Sequence, residues 1–337
     1  PYKHNKRKIL QENDFFIVMN DSNTPLVSII CTAYNHEAYI RQCLDGFINQ
    51  ITTFKTEVLI HDDASTDKTA DIIREYEQKY PDIIKPIYQT ENQYSKGVKI
   101  GFTYLYPKAQ GQYIAECEGD DYWTDSNKLQ MQVDFMEKHP DYTMCCHNAT
   151  IHYDDSTKED QIFADIKTGE YSREAFFKKW ITPTSSFLYK KKILYTKLFQ
   201  KVICAPHIIC QDFCLIITAS YYGKIYIFED VMSVYRIHKD GVMQSFRHIP
   251  YELCLQSIEE KTIFGSDLTP TFNEYIGMSA IDALSLILKE KRLNDGMRLW
   301  ILAFKNSPLK TLKWSIKYFI RPIFYFCKRL LKDSNKK

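Results

Sequence analysis

The sequence predicts an α/β protein with a mostly parallel central sheet, helices on both of its faces and a helical C-terminal extension. Two observations predict this class. Short, β-branched apolar runs alternate with segments of helical periodicity through the first half of the chain, which is the rhythm of βαβ units. The chain also has 337 residues, 45% of them hydrophobic, which is enough for one large domain with an appendage.

The predicted elements follow one another in a regular order from residue 26 to residue 117. Four apolar runs predict strands, at 26–31, 57–61, 83–88 and 112–117. Apolar residues three and four positions apart predict helices between them, at 39–48, 67–80 and 97–106. Ser65 or Thr66 is the candidate N-cap of the second helix.

The second half of the chain is predicted to be less regular at first and then helical. A helix at 210–222 precedes two strands, at 224–228 and 233–237, and residues from 250 onward have helical periodicity. We therefore divide the chain into an N-terminal extension, a main domain, a helical region and a basic amphipathic tail, at 1–24, 25–245, 246–304 and 305–337.

Composition argues against several classes of protein. A net charge of +2 does not suggest a nucleic-acid binder. The ten cysteines include no Cys-x-x-Cys pair, which favours buried, reduced thiols over a disulfide framework or a zinc site. No apolar stretch follows the basic N-terminus, and no uncharged apolar run reaches about 18 residues. We therefore expect a cytoplasmic protein with neither a signal peptide nor a transmembrane helix.

An acidic cluster after the fourth predicted strand is the most informative segment. Glu118, Asp120 and Asp121 lie together in Glu116-Cys-Glu-Gly-Asp-Asp-Tyr-Trp123. Like charges this close raise one another's pKa unless a positive charge lies among them, and hard oxygen ligands suit a divalent cation. The alternative is a solvated acidic turn. Parallel sheets bind ligands beyond the carboxyl ends of their strands, where this cluster is predicted to lie.

Further motifs before and after this cluster occur in the order of a known family. The first strand runs into Cys31-Thr-Ala-Tyr-Asn35 and the second into His61-Asp-Asp-Ala-Ser-Thr-Asp-Lys-Thr69. Gln211-Asp212-Phe and Tyr235-Arg-Ile-His238 come after the cluster. In this order the motifs closely resemble those of the family 2 glycosyltransferases, inverting enzymes with the Rossmann-like GT-A fold, over about residues 25–245.

The resemblance implies a nucleotide-sugar donor site at the strand ends. The implied nucleotide-binding residues are Thr32, Ala33, Tyr34, Asp63, Lys96 and Asp120. Tyr34 would lie against the base, and Asp63 would accept a hydrogen bond from an imide N–H such as that of uracil, which implies a UDP-linked donor. Packing at a strand end is the alternative for Tyr34, and a surface position is the alternative for Lys96.

The resemblance also implies that the acidic cluster binds Mn²⁺ or Mg²⁺. Asp121 would be the most direct ligand, Asp120 would be shared with the ribose, and His238 would reach the metal or the diphosphate. Glu118 stands where many relatives have Asp, so it would lie behind the metal ligands or against the ribose. A structural role is the alternative for His238. Arg236 would face a phosphate or pair with an acid.

Asp212 is the implied catalytic base. It would take the proton of an acceptor hydroxyl that attacks the anomeric carbon in one inverting displacement. A helix N-cap role for Asp212 is compatible with this chemistry. Gln211 stands where the family usually has Glu, which leaves one fewer carboxylate beside the base. Trp123 is assigned to the acceptor side, with a structural role as the alternative.

The C-terminal tail concentrates positive charge. Residues 305–337 contain ten Lys or Arg and one acid, whereas the whole chain has a net charge of +2. Apolar residues recur at helical spacing among these cations, which is the composition of an amphipathic helix on an anionic membrane surface. The alternative is a terminal helix packed on the preceding helices. A membrane position would suit a lipid-linked acceptor.

The sequence therefore predicts a metal-dependent inverting glycosyltransferase that builds a surface polysaccharide or similar glycan. Its acceptor would be a glycan or a lipid-linked sugar, and its location would be cytoplasmic, either free or attached to the inner face of the cell membrane. A sugar nucleotidyltransferase is an alternative. Enzymes of that class have a Gly-rich phosphate loop ahead of the first helix, whereas this chain has Tyr34-Asn-His-Glu37, without glycine, at that place. A non-catalytic membrane-associated scaffold is a second alternative, against which the retained aspartates argue.

Overall fold

A computed structural model describes residues 24–155, 158–241, 250–289 and 293–315. The predicted N-terminal extension up to residue 23, and residues 316–337 of the predicted tail, lie outside this part of the chain. The described strands are β1 (Val27–Ala33), β2 (Thr56–Asp62), β3 (Ile84–Tyr88), β4 (Tyr113–Glu116), β5 (Tyr122–Trp123), β6 (Tyr142–Tyr153), β7 (Gln161–Ile162), β8 (Gly169–Tyr171), β9 (Leu188–Lys190) and β10 (Lys224–Ile237).

The described helices alternate with the strands in the first half of the chain, and the described elements from residue 250 onward are all helices. They are α1 (Ile40–Ile48), α2 (Thr69–Lys79), α3 (Lys128–Lys138), α4 (Arg173–Lys178), α5 (Lys197–Cys204), α6 (Gln211–Tyr222), α7 (Pro250–Lys289), α8 (Leu293–Asn306) and α9 (Pro308–Ser315). None of the helices in the described ranges is long and apolar enough to cross a membrane.

All ten strands belong to one mixed sheet in the order β3-β2-β1-β4-β9-β6-β10-β5. The first four strands are parallel, as predicted, and β6 and β10 form a second long parallel ladder. The short strand β9 joins these halves, antiparallel to both β4 and β6. The shorter strands β7 and β8 pair with β6 and β10.

Helices cover both faces of the sheet. Residues of β1 alternate between the two buried sides: Val27, Ile29 and Cys31 pack with α1, α2 and α3, whereas Ile30 faces the opposite core with α4 to α7. A strand buried on both faces has a continuous apolar sequence, which is why 26–31 contains so little polarity. Each layer of helices therefore fixes one side of the strand ends.

The long helix α7 is part of the main core rather than an appendage. Phe264, Leu268, Phe272 and Ile276 are buried in the same cluster as the α6 side chains. A smaller cluster joins the C-terminal half of α7 to α8 through residues such as Leu284 and Leu299. Packing of α7 on α4, α5 and α6 sets the position of the loop before α6.

Three predicted elements differ from the structure. The helix predicted at 97–106 is replaced by a short turn of helix, Tyr94–Lys96, and a wider turn, Gly101–Leu105. The two strands predicted at 224–228 and 233–237 are one strand, β10, with bulges opposite β6. Neither Ser65 nor Thr66 caps α2, which begins at Thr69.

Candidate active site

The loops after β1 and β2 are joined by reciprocal hydrogen bonds. The Asn35 N–H donates to Ser65 Oγ at 2.9 Å, and Asn35 Oδ1 accepts from the Thr66 N–H at 2.8 Å. Glu37 accepts from the Lys68 N–H at 2.9 Å. Asn35 has a φ of 54°, a left-handed conformation that Asn tolerates. Ser65 and Thr66 therefore hold two loops together, which explains why neither is the predicted helix cap.

Asp63 directly follows β2, beside these loops. It is buried, and its two carboxylate oxygens accept from the backbone N–H groups of Gln93 and Tyr94 at 2.8 and 2.9 Å. Its own N–H donates to the Ala33 carbonyl at 2.9 Å. A carboxylate oxygen has two lone pairs, so each can still accept another hydrogen bond. Asp62 steadies the same loop through the Ser65 N–H.

The end of β1 supports both the Asp63 loop and the acidic cluster. The Thr32 carbonyl accepts from the Gly119 N–H at 2.9 Å. A Cβ on Gly119 would lie 2.9 Å from His36 Nδ1 and 3.2 Å from the Ala33 Cβ, so only glycine fits this approach. Tyr34 follows with 43% of its surface exposed, so its ring is accessible to a ligand.

Lys96 lies in the loop that supplies the backbone partners of Asp63. Its side chain is exposed and forms an ion pair with Glu91. Lys96 thus lies at the surface, which is the alternative to its predicted place among the nucleotide-binding residues.

Asp121 is the most deeply buried carboxylate of the cluster. It is 3% exposed, and Oδ1 accepts from the Arg236 N–H at 2.8 Å, whereas Oδ2 has no hydrogen-bond partner among the described residues. Burial, together with the charges of Asp120 and Glu118, raises the pKa of Asp121 well above its usual value. A cation at Oδ2 would remove this electrostatic penalty.

Asp120 lies between two imidazoles. Its Oδ2 is 3.0 Å from His238 Nε2 and 3.9 Å from His36 Nε2. Burial acts to raise the pKa of Asp120, but the hydrogen bond with His238 and the charge of His36 outweigh it, so the pKa is lowered. His238 Nδ1 is buried without a hydrogen-bond partner in the described structure. His238 is therefore tied to the acidic cluster, with one ring nitrogen still available.

The surroundings of Glu118 disfavour its charged form. Burial, followed by the charges of Asp120 and Glu116, raises the pKa of Glu118 to about 8. The charge of Asp212 makes a smaller contribution to the same shift. The charge of Asp212 therefore acts on the same carboxyl group as the charge of Asp120.

The residues present fit a divalent cation bound jointly with a ligand. Within the described ranges, no three His, Cys, Asp or Glu side chains converge closely enough to hold a metal by themselves. Mg²⁺ is commonly held by one or two carboxylates plus substrate phosphates. Asp121 Oδ2, which is buried and has no hydrogen-bond partner there, and the neighbouring Asp120 supply such a pair.

Asp212 lies in the first turn of α6, directly after Gln211. Its Oδ1 accepts from the Phe213 N–H at 2.8 Å, and Cys210 occupies the N-cap position instead. Burial raises the pKa of Asp212. A raised pKa brings a carboxylate closer to the value that suits a general base near neutral pH.

Trp123 and Arg236 have structural surroundings. Trp123 is buried, its Nε1–H donates to the Ser185 carbonyl at 2.8 Å, and its ring packs on Phe47. The acceptor-side assignment of Trp123 is thus corrected to the structural alternative, because its ring is enclosed in the core. Arg236 donates to the Asp120 carbonyl and pairs with Asp154, so it braces the cluster.

Two residues at the site were not singled out from the sequence. His36 faces Asp120 from the loop after β1, and burial lowers its pKa. Tyr235 in β10 has a raised pKa, through burial and the charges of the surrounding carboxylates: Asp121, Glu118, Asp120 and Asp212. His36 follows β1, and Tyr235 lies near the end of β10 at the same edge of the sheet. Position at this edge is the signal that could have identified both residues.

The chain is similar in sequence to a known protein family and in fold to solved structures. The family model described as Glycosyl transferase family 2 matches residues 28–197, which is half of the chain. An uncharacterized protein of Mycobacterium tuberculosis is 36% identical over 219 residues, covering 65% of this chain and 61% of that protein. The match to this relative thus spans about three fifths of the relative's length.

Two further proteins have informative names. A protein of Escherichia coli, the UDP-Glc:alpha-D-GlcNAc-diphosphoundecaprenol beta-1,3-glucosyltransferase WfaP, is 38% identical over 113 residues, which are 33% of this chain and 41% of that protein. The solved mannosyltransferase PcManGT of Pyrobaculum calidifontis, in complex with GDP-Man and Mn²⁺, has a TM-score of 0.53 at 16% identity, covering 89% of this chain and 83% of that chain. This likeness confirms the predicted fold class.

Proposed function

Because the chain belongs to glycosyl transferase family 2, we propose that it moves a sugar from a UDP-linked donor to a hydroxyl of a glycan or lipid-linked acceptor, with inversion and with a divalent metal. The observation that carries this proposal is that the end of β1 binds both acidic loops: Ala33 accepts from the Asp63 N–H, and Thr32 accepts from the Gly119 N–H beside Asp120. Asp63 lies after β2, Asp120 and Asp121 after β4, and Asp212 at the start of α6.

Asp63 is proposed to recognise the base. Its two oxygens already accept two backbone N–H groups, so its position is fixed before any ligand arrives. The remaining lone pairs select a ring N–H, which uracil offers at N3. The exposed ring of Tyr34 would stack on the same base, a contact worth about 1–3 kcal/mol. Backbone groups of Thr32 and Ala33 support this pocket from β1.

Asp121 and Asp120 are proposed to hold the metal, which when bound would neutralise charge on the departing diphosphate. Asp121 offers its buried Oδ2, and Asp120 offers a carboxylate held by His238. His238 is proposed to orient Asp120, with Nδ1 directed to the metal or diphosphate. Mn²⁺ and Mg²⁺ both suit these oxygen ligands.

Asp212 is proposed to take the proton from the acceptor hydroxyl. Its raised pKa would make this transfer effective near neutral pH, and a positioned base contributes about 10²–10⁴ in rate. Alignment of the acceptor with the anomeric carbon would supply much of the remainder. Glu118, with a pKa of about 8, is proposed to lose its proton when the metal binds.

The decisive experiment compares donor turnover by wild type, Asp212→Asn and Asp230→Asn, with UDP- and GDP-sugars, with and without Mn²⁺. Asp230 is an exposed aspartate, so its variant controls for charge loss alone. We expect UDP-sugar turnover to require metal. The turnover rate of Asp212→Asn should be lower than that of wild type by about 10²- to 10⁴-fold. Glycosyl transfer at the wild-type rate by Asp212→Asn would refute the base assignment.

Binding measurements separate the alternatives. Calorimetry with UDP and Mn²⁺ should detect binding that Asp63→Ala abolishes or weakens strongly. Absence of binding in either metal state would favour the non-catalytic scaffold. Release of diphosphate from a nucleoside triphosphate and a sugar phosphate would instead favour the sugar nucleotidyltransferase.

We also propose that the C-terminal helices contact an anionic membrane. Met297, Ile301 and Phe304 are exposed on one stripe of α8, opposite its buried Leu299 and Ala303. On α9, Leu309 and Leu312 are exposed as well, and both Lys305 and Lys313 lie on the surface beside these apolar residues. Exposed apolar side chains with flanking cations are typical of helices in a membrane interface.

Liposome sedimentation tests the membrane proposal. The full chain should bind vesicles rich in phosphatidylserine and not those of phosphatidylcholine alone. The variant Lys305→Glu/Lys313→Glu should bind about 30-fold more weakly, since each of the two cations near an anionic surface contributes about 1 kcal/mol. Lys108→Glu/Lys138→Glu is the matched control with exposed lysines elsewhere. Equal binding by both variants would contradict the proposed surface.

A further inference from the structure

The loop before Asp212 is held by a side chain from α7. Gln256 Oε1 accepts from the backbone N–H groups of Ile209 and Cys210 at 2.8 and 2.9 Å. Its Nε2 donates to the Cys210 carbonyl at 3.0 Å and to Glu260 at 2.8 Å. One buried amide therefore binds both the donor and the acceptor of a single residue, two positions before Asp212.

Neighbouring residues on the same face of α7 extend this attachment. Glu259 accepts from the His207 N–H at 2.6 Å, and the buried Glu260 accepts from Cys214 Sγ at 3.5 Å. Positions 256, 259 and 260 are three and four residues apart, so they lie together on one side of the helix. The loop is thus held along its length by α7.

The opposite side of the loop is held by Lys99. Its Nζ donates to the carbonyls of Val202, Ile203 and Ala205, at 3.2, 2.8 and 3.0 Å. These carbonyls end α5, where a cation is favoured by the helix dipole. The segment from α5 to α6 is therefore fixed at its beginning by Lys99 and at its end by Gln256.

We propose that Gln256 is a positioning residue for the transfer reaction, because it sets the start of α6 and so directs the Asp212 carboxylate toward the acceptor hydroxyl. The inference rests on the proposed role of Asp212 as base. A displacement of about 1 Å in a catalytic group can cost about 10²-fold in rate. Gln256 lies outside residues 28–197, to which the family model extends, and far from Asp212 in the sequence.

The test compares Gln256→Met, Gln256→Asn and Ser257→Ala. Met keeps the length of the side chain but removes its hydrogen bonds, and Asn keeps the amide but cannot reach the loop. Ser257 is the matched control, since it is buried on the same helix and bonds only to the Leu253 carbonyl within α7 among the contacts described. Melting temperature and UDP binding report on the fold and on the donor site separately.

We expect both Gln256 variants to lose about 10- to 100-fold in kcat, with the donor KM and UDP affinity unchanged, and Ser257→Ala to keep wild-type kcat. If Gln256→Met does not fold, Gln256→Asn decides. Adding Gln256→Met to Asp212→Asn should cause little further loss, because both act through the same group. Wild-type kcat in a folded Gln256 variant would overturn the positioning role, even if Asp212→Asn is inactive. Full activity of Asp212→Asn would instead overturn the proposed function.

Discussion

Lys128 carries a large electrostatic penalty in the folded protein. It begins α3, is fully buried, and its Nζ donates to Gln132 Oε1 at 2.8 Å and lies 4.0 Å from the centre of the Trp123 ring. Burial lowers the pKa of Lys128 from 10.5 to about 7. A shift of this size corresponds to about 5 kcal/mol between the charged and neutral forms.

The sign of the pH dependence follows from proton binding. Between pH 7 and pH 10.5 the unfolded chain keeps the proton of Lys128, whereas the folded protein has lost it. The unfolded state therefore binds more protons, and the free energy of unfolding rises by about 1.4 kcal/mol for each pH unit in this window. Below pH 7 both states are protonated and the full penalty remains.

Urea unfolding at pH 6 and pH 9.5 measures this contribution. We expect the free energy of unfolding of wild type, relative to Lys128→Met, to rise by about 3 kcal/mol from the lower to the higher pH. Lys138→Met, at the exposed end of the same helix, is the control and should leave the pH dependence unchanged. Parallel curves for wild type and Lys128→Met would refute the assignment of this slope to Lys128.

Three further outcomes are expected. Because burial raises the pKa of Asp212 above 3.8, kcat/KM should fall tenfold per pH unit below a midpoint that lies above 3.8; a pH–rate profile with its midpoint lower would contradict this. Gly119→Ala should lower the free energy of unfolding by about 1–3 kcal/mol, as an added Cβ comes within 2.9 Å of a neighbouring imidazole; an unchanged melting temperature would be inconsistent with that contact. Tyr189→Phe should cost about 1–3 kcal/mol in urea unfolding, since the partly buried Glu116 loses a donor, whereas the exposed Tyr195→Phe should cost nothing; equal effects would exclude this cause.

The sequence predicts the first half of the sheet well because local patterns determine it. Strands buried on both faces need continuous apolar runs, and those runs place β1, β2 and β3 within one or two residues of their observed bounds. The parallel order of these strands then brings the loops that follow them to one edge. For this reason the loops with Asp63 and Asp121 could be placed near each other, although their roles remain proposals.

Other features depend on long-range contacts that leave no local pattern. The strand β9 has only three residues, too few for a recognisable alternation, yet it joins the two halves of the sheet. Trp123 could face a ligand or the core, and only the packing of Phe47 on its ring decides between them. Gln256 is one polar residue in a helical pattern, and its contact with the loop before Asp212 follows from the docking of α7.

The placement of β9 has a consequence for how the chain reaches its native state. During synthesis β1 to β4 emerge first and can pair at once, since their connections are local in the sequence. The other edge of β4, however, pairs with Leu188–Lys190, and these residues are synthesised only after β6. Until then a strand edge with unmatched backbone groups is exposed to other chains. A nascent chain stalled before residue 188 should therefore aggregate through this edge, and one extended past β9 should be protected.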